Sequence, residues 1–306
     1  MKCYFAPLEG LTDSVYRRLH HKYFPGIDTY FTPFLSPTVH RQLSTREARE
    51  LPPVETCDFS VVPQIMTKSP DDFLWLAEQC HSRGYQQVNL NLGCPSGTVT
   101  AKGKGSAMLA DLDALDAFLY EIFSSANINI SIKSRIGFHS AEEFPAILSV
   151  LNRYPIYELT IHPRVRSAFY SGQVDMQAFS YAAENTNIPL CYNGDIHSKQ
   201  DAQAIKKQFP NVNIMVGRAL IADPGMFCAT KTTADTLEAF HNELLEEYLT
   251  LFGGSRNAIF RLKEHWFYLK DKFEGSEKLA KQLRKTTDLS QYRTITHEIF
   301  TALPYK

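Results

Sequence analysis

The sequence lacks several features that would assign a function class directly. It has only six cysteines, and no two of them form a C-x-x-C pair. This spacing argues against a structural zinc site and a disulfide framework and favours a reducing compartment. No apolar run approaches the length of a membrane span, and the N-terminus has no hydrophobic region of signal-peptide length. We therefore expect a cytoplasmic protein without membrane contact and without a metal.

An excess of charge of either sign is also missing. The formal net charge is -1 at pH 7, so any affinity for nucleic acid must come from a local patch. The first strand-like run is not followed by the Gly-x-Gly-x-x-Gly motif of dinucleotide-binding sheets. The length of 306 residues fits one α/β barrel of about 250 residues with an appendage.

Short apolar runs alternate with helix-like segments over most of the chain. They lack strict polar alternation, which is typical of parallel strands buried on both faces. Ser69, Ser140 and Ser198 each open a helix-like segment as candidate N-caps, and from about Thr233 only helical patterns remain. The sequence predicts a (β/α)8 TIM barrel over residues 1–232 and an all-helical C-terminal domain over 233–306. The eight strand-like runs are 2–6, 29–34, 60–66, 86–91, 129–135, 158–162, 189–193 and 213–217.

One cysteine stands at a position suited to chemistry. Asn91-Leu92-Gly93-Cys94-Pro95 follows the fourth strand-like run, and a glycine- and lysine-bearing segment comes next. A thiol at the carboxyl end of a barrel strand is placed where such enzymes carry a proton donor or a nucleophile. The alternative is a buried structural cysteine.

Other strand ends carry hydrogen-bond donors. Taken singly, each has a structural interpretation, such as a strand-end cap or a core histidine. Taken together, they match the end of the barrel where phosphate is bound, after strands seven and eight in particular. These strand ends contain Gln64, Lys133, Arg135, His162, Arg164, Asn193-Gly194-Asp195 and Gly217-Arg218.

These motifs, in this order, resemble those of the tRNA-dihydrouridine synthase family over nearly the whole chain. The resemblance implies FMN-dependent reduction of the C5–C6 double bond of a D-loop uridine in tRNA. NADPH or NADH would be the reductant, and Cys94 would protonate C5. A free thiol with a pKa of about 8.5 is protonated at neutral pH and can act as a general acid. The length and spacing of the helical part most resemble the bacterial branch that modifies uridine 16.

The same resemblance implies roles for further residues. Lys133 would stabilise the reduced flavin, Gln64 would hydrogen-bond its ring, and the strand ends after 193 and 217 would hold its phosphate and ribitol. The expected cofactor-binding residues are Pro7, Leu8, Glu9, Gln64, Lys133, His162, Asn193, Gly194, Asp195, Gly217 and Arg218. The expected substrate or tRNA contacts are Ser36, Asn91, Lys102, Arg135, Arg164, Arg261, Lys263, Tyr268 and Arg284. We expect a monomer that binds the D-loop and elbow region of tRNA.

A basic segment supports the nucleic-acid interpretation. Residues 253–285 contain nine Lys or Arg against four acids, although a solvated helix face with internal ion pairs would look the same. Aromatic residues are interleaved with these charges, and from their spacing we predict that most of them belong to the helix-packing core. They are Phe260, Trp266, Phe267, Tyr268 and Phe273.

Three alternatives are left open. A dihydroorotate dehydrogenase shares the FMN barrel and an active-site cysteine, but it acts on a free pyrimidine and has no use for a basic helical domain. A non-catalytic tRNA-binding protein would not need the flavin residues. A Schiff-base aldolase using Lys133 would leave Cys94 unexplained. One departure from the family pattern is Pro163, which lacks a backbone N–H.

Overall fold

The computed structural model describes residues 1–38 and 40–306. Nine strands are formed: β1 (Cys3–Phe5), β2 (Thr29–Phe31), β3 (Val61–Val62), β4 (Gln64–Ile65), β5 (Gln87–Leu92), β6 (Asn129–Gly137), β7 (Leu159–Val165), β8 (Leu190–Tyr192) and β9 (Asn213–Val216). The α-helices that alternate with them are α1 (Ser14–Tyr23), α2 (Thr45–Glu50), α3 (Pro70–His81), α4 (Gly97–Thr100), α5 (Leu112–Ser125), α6 (Phe144–Leu151), α7 (Met176–Asn185), α8 (Lys199–Gln208) and α9 (Arg218–Ala222). Four further helices follow: α10 (Ala234–Phe252), α11 (Ser255–Leu269), α12 (Glu277–Lys285) and α13 (Leu289–Ala302). Short 3-10 turns cover Val54–Thr56, Gly105–Ala110, Ala141–Glu143, Arg166–Ala168 and Lys270–Lys272.

The strands form one parallel sheet in the order β3-β2-β1-β9-β8-β7-β6-β5-β4. The two strands at its ends, β3 and β4, are separated in the chain by Pro63 alone. Proline has no N–H to donate, so it interrupts what would be a single strand. β3 pairs with β2, and β4 pairs with β5. The sheet therefore curls round so that its two ends meet at Pro63, which confirms the predicted eight-stranded parallel barrel.

A second proline shapes strand β7. Arg135 pairs with His162, but the next pair along is Gly137 with Val165, so β7 has one residue more than β6 over this stretch. This is a β-bulge, and it includes Pro163, which cannot donate to the ladder. The bulge lies at the carboxyl end of the strand, where the polar residues described below begin.

A buried cluster of mainly apolar side chains comes from β1, β2, β3, β8 and β9 and from Ala6. Tyr4, Phe31 and Met215 belong to this cluster, and the Tyr4 and Phe31 rings are 5.6 Å apart. Glu158, a buried carboxylate next to this cluster, accepts hydrogen bonds from Tyr4 Oη at 3.2 Å and Asn213 Nδ2 at 2.7 Å. These bonds offset part of the cost of burying it.

The helix starts follow local sequence signals. Ser69 Oγ accepts a hydrogen bond from Asp72 N at 3.3 Å and Pro70 is the first residue of α3, as predicted. α3 ends at His81, where the chain closes into tight turns. The Ser140 capping box is present, but it begins a 3-10 turn and α6 starts only at Phe144.

The chain divides into two compact units. The barrel unit consists of residues 1–7, 28–196 and 200–216, and the helical unit consists of 8–27, 197–199 and 217–306. The helical unit takes α1 from the N-terminal part of the sequence and packs it against α10, where Tyr16 and Phe240 meet edge to face at 5.5 Å. Helix α10 is capped by Thr233 at its start and by Gly253, in the left-handed conformation, at its end.

The core of the helical unit contains a buried polar group. His241 Nε2 and Tyr292 Oη are 2.8 Å apart, and Trp266 Nε1 donates to Tyr292 Oη at 3.0 Å. Burial lowers the pKa of His241 to about 4, so its imidazole is neutral near pH 7. Trp266 and Phe273 are buried, as predicted for core aromatics, whereas Phe260 and Phe267 are exposed.

Candidate active site

A chain of amide side chains crosses the inside of the barrel. Gln64 Nε2 donates to Asn89 Oδ1 at 2.8 Å, and Asn91 Nδ2 donates to Gln64 Oε1 at 2.7 Å. Asn89 Nδ2 then donates to Ser131 Oγ at 2.9 Å. All four residues are buried, and each satisfies a neighbour that would otherwise lack a partner. The chain therefore fixes Asn91, the residue that leads into the cysteine loop.

Asn91 holds the loop that carries Cys94. Its Oδ1 accepts hydrogen bonds from Gly93 N at 3.0 Å and Cys94 N at 2.9 Å. An asparagine that bonds to the backbone two and three residues later forms a tight Asx turn. The turn occurs directly after β5, so the half-buried Cys94 stands at the carboxyl end of that strand, as predicted.

The segment after Cys94 folds back, and Ser106 in it forms two further hydrogen bonds with Cys94. Ser106 donates to the Cys94 carbonyl from Oγ at 2.8 Å and from its backbone N at 3.2 Å. Gly105 has a φ of +61°, and a Cβ added there would lie 3.0 Å from Cys94 O. Only glycine adopts this conformation and approach without strain. Hydrogen bonds therefore hold both the backbone N–H and the carbonyl of Cys94.

Lys133 lies beside Asn91, because the two residues are paired in register between β6 and β5. Burial, and to a lesser extent the positive charge of Arg135, lowers the pKa of Lys133 to about 8. Within residues 1–38 and 40–306 its ammonium has neither a hydrogen bond nor a carboxylate partner. A desolvated cation without a counterion inside a barrel favours the binding of an anionic group.

Arg135 joins the Cys94 loop to the loop after β7. Its guanidinium donates to Gly93 O at 3.0 Å, Val165 O at 2.9 Å and Phe169 O at 2.5 Å, and it lies 5.5 Å from the Tyr170 ring centroid. Burial lowers the pKa of Arg135 to about 10. These contacts position the exposed Tyr170 in the same segment as Phe169, whose φ of +48° is rare for a large side chain.

A second buried arginine, Arg164, holds the far end of that loop. It donates to Ser171 O at 3.2 Å and also to Gly172 O, and it forms a bidentate ion pair with Asp195. The side chain of Arg164 is 2% exposed, so this pair is largely shielded from water. Asp195 itself has a φ of +42°, a strained conformation of the kind found at functional sites.

The remaining predicted residues of this strand end are close by. His162 Nε2 is 3.1 Å from the Arg164 guanidinium. Asn193 Nδ2 donates to Met215 O at 2.7 Å, which ties the end of β8 to β9. A Cβ at Gly194 would lie 2.8 Å from Val174 Cγ1, so glycine is required for packing there. The structure therefore brings His162, Arg164 and Asp195 together, with Asn193 and Gly194 adjacent in sequence to Asp195.

The other predicted flavin residues lie next to strand ends in sequence. Pro7 follows β1 in the barrel unit, and Leu8 and Glu9 begin the helical unit. Leu8 N donates to Thr12 Oγ1 at 2.9 Å, whereas Glu9 is exposed. Gly217 and Arg218 follow β9 directly and start α9 within the helical unit.

The predicted tRNA contacts differ in exposure. Lys102 and Arg284 are exposed, and Ser36 and Tyr268 are half-buried. Ser36 donates from Oγ to Met66 O at 2.8 Å. Two of the cations are engaged within the helical unit, because Arg261 donates to Gly10 O and Lys263 donates to Thr286 O.

Sequence reasoning missed several residues of the site. Asn89 lies two residues before Asn91, and Ser131 lies two residues before Lys133. Because side chains two residues apart on a strand point to the same face, the strand pattern predicts that Asn89 and Ser131 also point inward. Ser106 and Tyr170 carried no local signal, because each acts through a contact between distant loops.

The described residues provide two further observations. No group of three His, Cys, Asp or Glu side chains in this part of the chain is arranged to hold a metal ion. Among the helices within residues 1–38 and 40–306, none is long and apolar enough to span a membrane.

Chemically, the carboxyl end of the barrel presents a thiol and a desolvated ammonium from neighbouring strands. A fixed thiol serves as a proton donor or nucleophile, and an ammonium without a counterion stabilises a bound anion. Tyr170 adds an exposed aromatic ring in a loop that two buried arginines secure. The arrangement suits acid catalysis on a planar substrate next to an anionic group.

Comparison with known proteins gives concordant results. A family model described as dihydrouridine synthase matches residues 4–301. A probable tRNA-dihydrouridine synthase 1 of Synechocystis sp. is 26% identical over 294 residues, covering 91% of this chain and 80% of the relative. A tRNA-dihydrouridine synthase B of Serratia marcescens is 28% identical over 234 residues, covering 76% and 69% respectively.

Solved structures share the fold at low sequence identity. Morphinone reductase has a TM-score of 0.51 at 10% identity, covering 74% of this chain and 84% of its own. A variant of NCR from Zymomonas mobilis has a TM-score of 0.51 at 12% identity, covering 79% and 86%. Because the family model matches nearly the whole sequence, the chain belongs to the dihydrouridine synthase family, flavin-dependent oxidoreductases that modify tRNA.

Proposed function

We propose that this chain reduces the C5–C6 double bond of a D-loop uridine in tRNA to 5,6-dihydrouridine, with Cys94 as the proton donor to C5. The observation that carries the proposal is the pairing of two groups at one end of the barrel. Cys94 is held by Asn91, and Asn91 is in register with Lys133, whose ammonium has no partner within residues 1–38 and 40–306. This register supports the proposal of a proton donor next to a cation without a counterion in the described chain.

The residues present fit a bound flavin mononucleotide. When bound, FMN supplies the hydride, having been reduced by NADPH or NADH. Lys133 would hold the negative charge of its ring system, and Gln64 would hydrogen-bond the ring. The strand ends at Asn193, Gly194 and Asp195, with Gly217 and Arg218, would hold its phosphate and ribitol. Pro7, Leu8, Glu9 and His162 would complete the cofactor site.

The protein's own contribution to the reaction is position and protonation. The Asx turn at Asn91 and the two bonds from Ser106 hold the backbone of Cys94, and therefore the point from which its thiol extends. The uridine must leave its stack to reach this site, as in other enzymes that act on bases. We assign the covering of such a base to Tyr170, whose ring Arg135 contacts. In this position the Cys94 thiol would donate its proton to C5 of the uracil.

The finer assignments belong to the same proposal. We assign residues 1–232 to FMN binding and catalysis and residues 233–306 to tRNA binding, in a protein that acts as a monomer. Uridine 16 is the proposed target, on the strength of the length and spacing of the helical part. The relatives described above are named synthase 1 and synthase B, so target mapping must decide the position.

Cys94→Ala is the direct test, and Cys57→Ala is its matched control because Cys57 is also a half-buried cysteine. Under anaerobic conditions, NADPH should bleach the flavin absorbance of both variants. On addition of unmodified tRNA, the absorbance of Cys57→Ala should return at the wild-type rate. That of Cys94→Ala should return about 10²- to 10⁴-fold more slowly, the usual contribution of a general acid.

Mass spectrometry of the tRNA gives an independent readout, since each dihydrouridine adds two hydrogens. Wild-type rates of dihydrouridine formation by Cys94→Ala would refute the proton-donor assignment. Rapid reoxidation by fumarate without any response to tRNA would instead favour a dihydroorotate-type enzyme.

A further inference from the structure

Helix α11 presents two phenylalanines to solvent. Phe260 is 68% exposed and Phe267 is 67% exposed. They are seven residues apart, so they lie on one face of the helix, separated by about 10 Å along its axis. Arg256 is exposed on the same face, and Lys263 occupies it between the two rings. Cations therefore alternate with aromatic rings along this face.

The position of Lys263 connects this face to helix α12. The Lys263 ammonium donates to the carbonyl of Thr286, the residue that caps the carboxyl end of α12. The last turn of α12, with Arg284 and Lys285, is therefore within the length of one lysine side chain of the α11 face.

Helix α12 adds further positive charge. Its only acidic residue is Glu277. The four cations of α12 are exposed, and within residues 1–38 and 40–306 they have neither an ion pair nor a hydrogen bond through their side chains. They are Lys278, Lys281, Arg284 and Lys285. Unpaired cations beside exposed aromatic rings are the combination that proteins use to bind unpaired nucleotides, with phosphate and base contacted at once.

We propose that one surface of the helical unit, here named the α11–α12 face, binds unpaired loop nucleotides of the tRNA. It consists of Arg256, Phe260, Lys263 and Phe267 of α11 and of Lys278, Lys281, Arg284 and Lys285 of α12. Phe260 and Phe267 each stack on a base, and the cations contact phosphates. The spacing of the rings means that the two bases are not adjacent in the stack. This inference rests on the proposed function, since it names where the tRNA substrate is held.

Charge decides between the occupants of this surface. If a second copy of the chain bound through the same surface, two cationic faces would meet and their electrostatic repulsion would weaken the binding. A polyanion removes that repulsion and releases its own counterions. The occupant with the required chemistry is therefore RNA with unpaired bases.

The test separates stacking from charge by the salt dependence of tRNA binding. The affinity of the holoenzyme for an unmodified tRNA transcript is measured by fluorescence anisotropy at several salt concentrations. For Phe260→Ala with Phe267→Ala we expect affinity to fall by at least about fivefold per ring, with an unchanged salt slope. For Arg284→Gln with Lys285→Gln we expect the slope to decrease by about 0.7 to 0.9 for each lost phosphate contact.

Tyr120→Ala is the matched control, because Tyr120 on α5 is 67% exposed and belongs to the barrel unit. It should bind tRNA with wild-type affinity. Wild-type affinity in the double phenylalanine variant would overturn the proposal, and so would a wild-type dimer in sedimentation that this variant dissociates. Dihydrouridine formation by the wild-type enzyme on the same transcript is measured in parallel. If it fails, the proposed function fails; if it succeeds while the variant binds normally, only the α11–α12 face is wrong.

Discussion

Replacing Asn91 by alanine removes the residue that links the barrel interior to the cysteine loop. Three hydrogen bonds are lost: those from Gly93 N and Cys94 N to Oδ1, and the one from Nδ2 to Gln64 Oε1. At about 1 kcal/mol for a typical neutral hydrogen bond, the loss amounts to roughly 3 kcal/mol. Gln64 is 1% exposed, so water cannot replace its missing donor.

The effect on catalysis should exceed the effect on folding. Without its Asx turn the Cys94 loop is free to shift, and a displacement of about 1 Å typically costs about 10²-fold in rate. We expect Asn91→Ala to keep its flavin and to lose tRNA-dependent reoxidation by about that factor.

Asn91→Asp distinguishes the two functions of the side chain. A carboxylate still accepts from Gly93 N and Cys94 N but cannot donate to Gln64. The amides of Gln64 and Asn89 can both rotate, so that Gln64 donates to the aspartate, Asn89 donates to Gln64 and Ser131 donates to Asn89. The new charge also lies beside Lys133, its neighbour in register. We therefore expect a loss of stability well below that of Asn91→Ala.

The assays are urea unfolding followed by circular dichroism and single-turnover reoxidation of the reduced enzyme by unmodified tRNA. Equal m-values are needed for the free energies of unfolding to be compared. If Asn91→Ala unfolds at the wild-type urea midpoint and is reoxidised at the wild-type rate, then Asn91 neither supports the barrel nor positions Cys94.

Two further predictions concern buried titratable groups. The pKa of Lys133 falls from 10.5 to about 8 on folding, so between these values the lysine binds more protons in the unfolded chain and its own contribution to stability should rise with pH. Burial raises the pKa of the thiols of Cys3 and Cys80, which act in the opposite direction. The test is therefore the difference in urea midpoint between flavin-free wild-type protein and Lys133→Met, which should shift in favour of the wild type as pH rises through this range, and Lys133→Met should also bind FMN more weakly. The pKa values of His241 and His265 fall from 6.5 to about 4, so the stability of the helical unit should be complete above pH 6.5 and decline as pH falls towards 4. His241→Phe should have a shallower acid-unfolding profile by circular dichroism, and an unchanged profile would contradict the assignment.

The barrel was predictable because its signals are local. Each strand is a short apolar run that ends in a polar residue, and the order of runs and helices fixes the connectivity. Cys94 was predictable for the same reason, since its position depends on one strand and one turn. Pro63 shows the limit of this reasoning. It divides the third strand in two, and that consequence depends on the neighbours of the proline on both sides of the sheet.

Contacts between distant segments are harder to infer than the segments themselves. Ser106 and Cys94 are close only because the intervening residues form α4 and a 3-10 turn that return the chain. Tyr170 depends on Arg135 in the same way. In neither pair does the spacing or composition around one residue identify the other. The contacts of Ser106 and Tyr170 could therefore be found only from the folded structure.

The aromatic residues of α11 illustrate a different limit. A helical sequence specifies the angles between its side chains but not the rotation at which the helix packs. Phe260 and Arg261 are neighbours in sequence and point about 100° apart, and apolarity alone would place the phenylalanine inside. The structure shows the opposite arrangement. Arg261 donates a hydrogen bond to the Gly10 carbonyl within the helical unit, and Phe260 is exposed. An arginine that donates to a backbone carbonyl and covers the unit with its aliphatic stem can replace a phenylalanine in packing. The ring that remains outside is one of the two that we propose stack on bases of the tRNA.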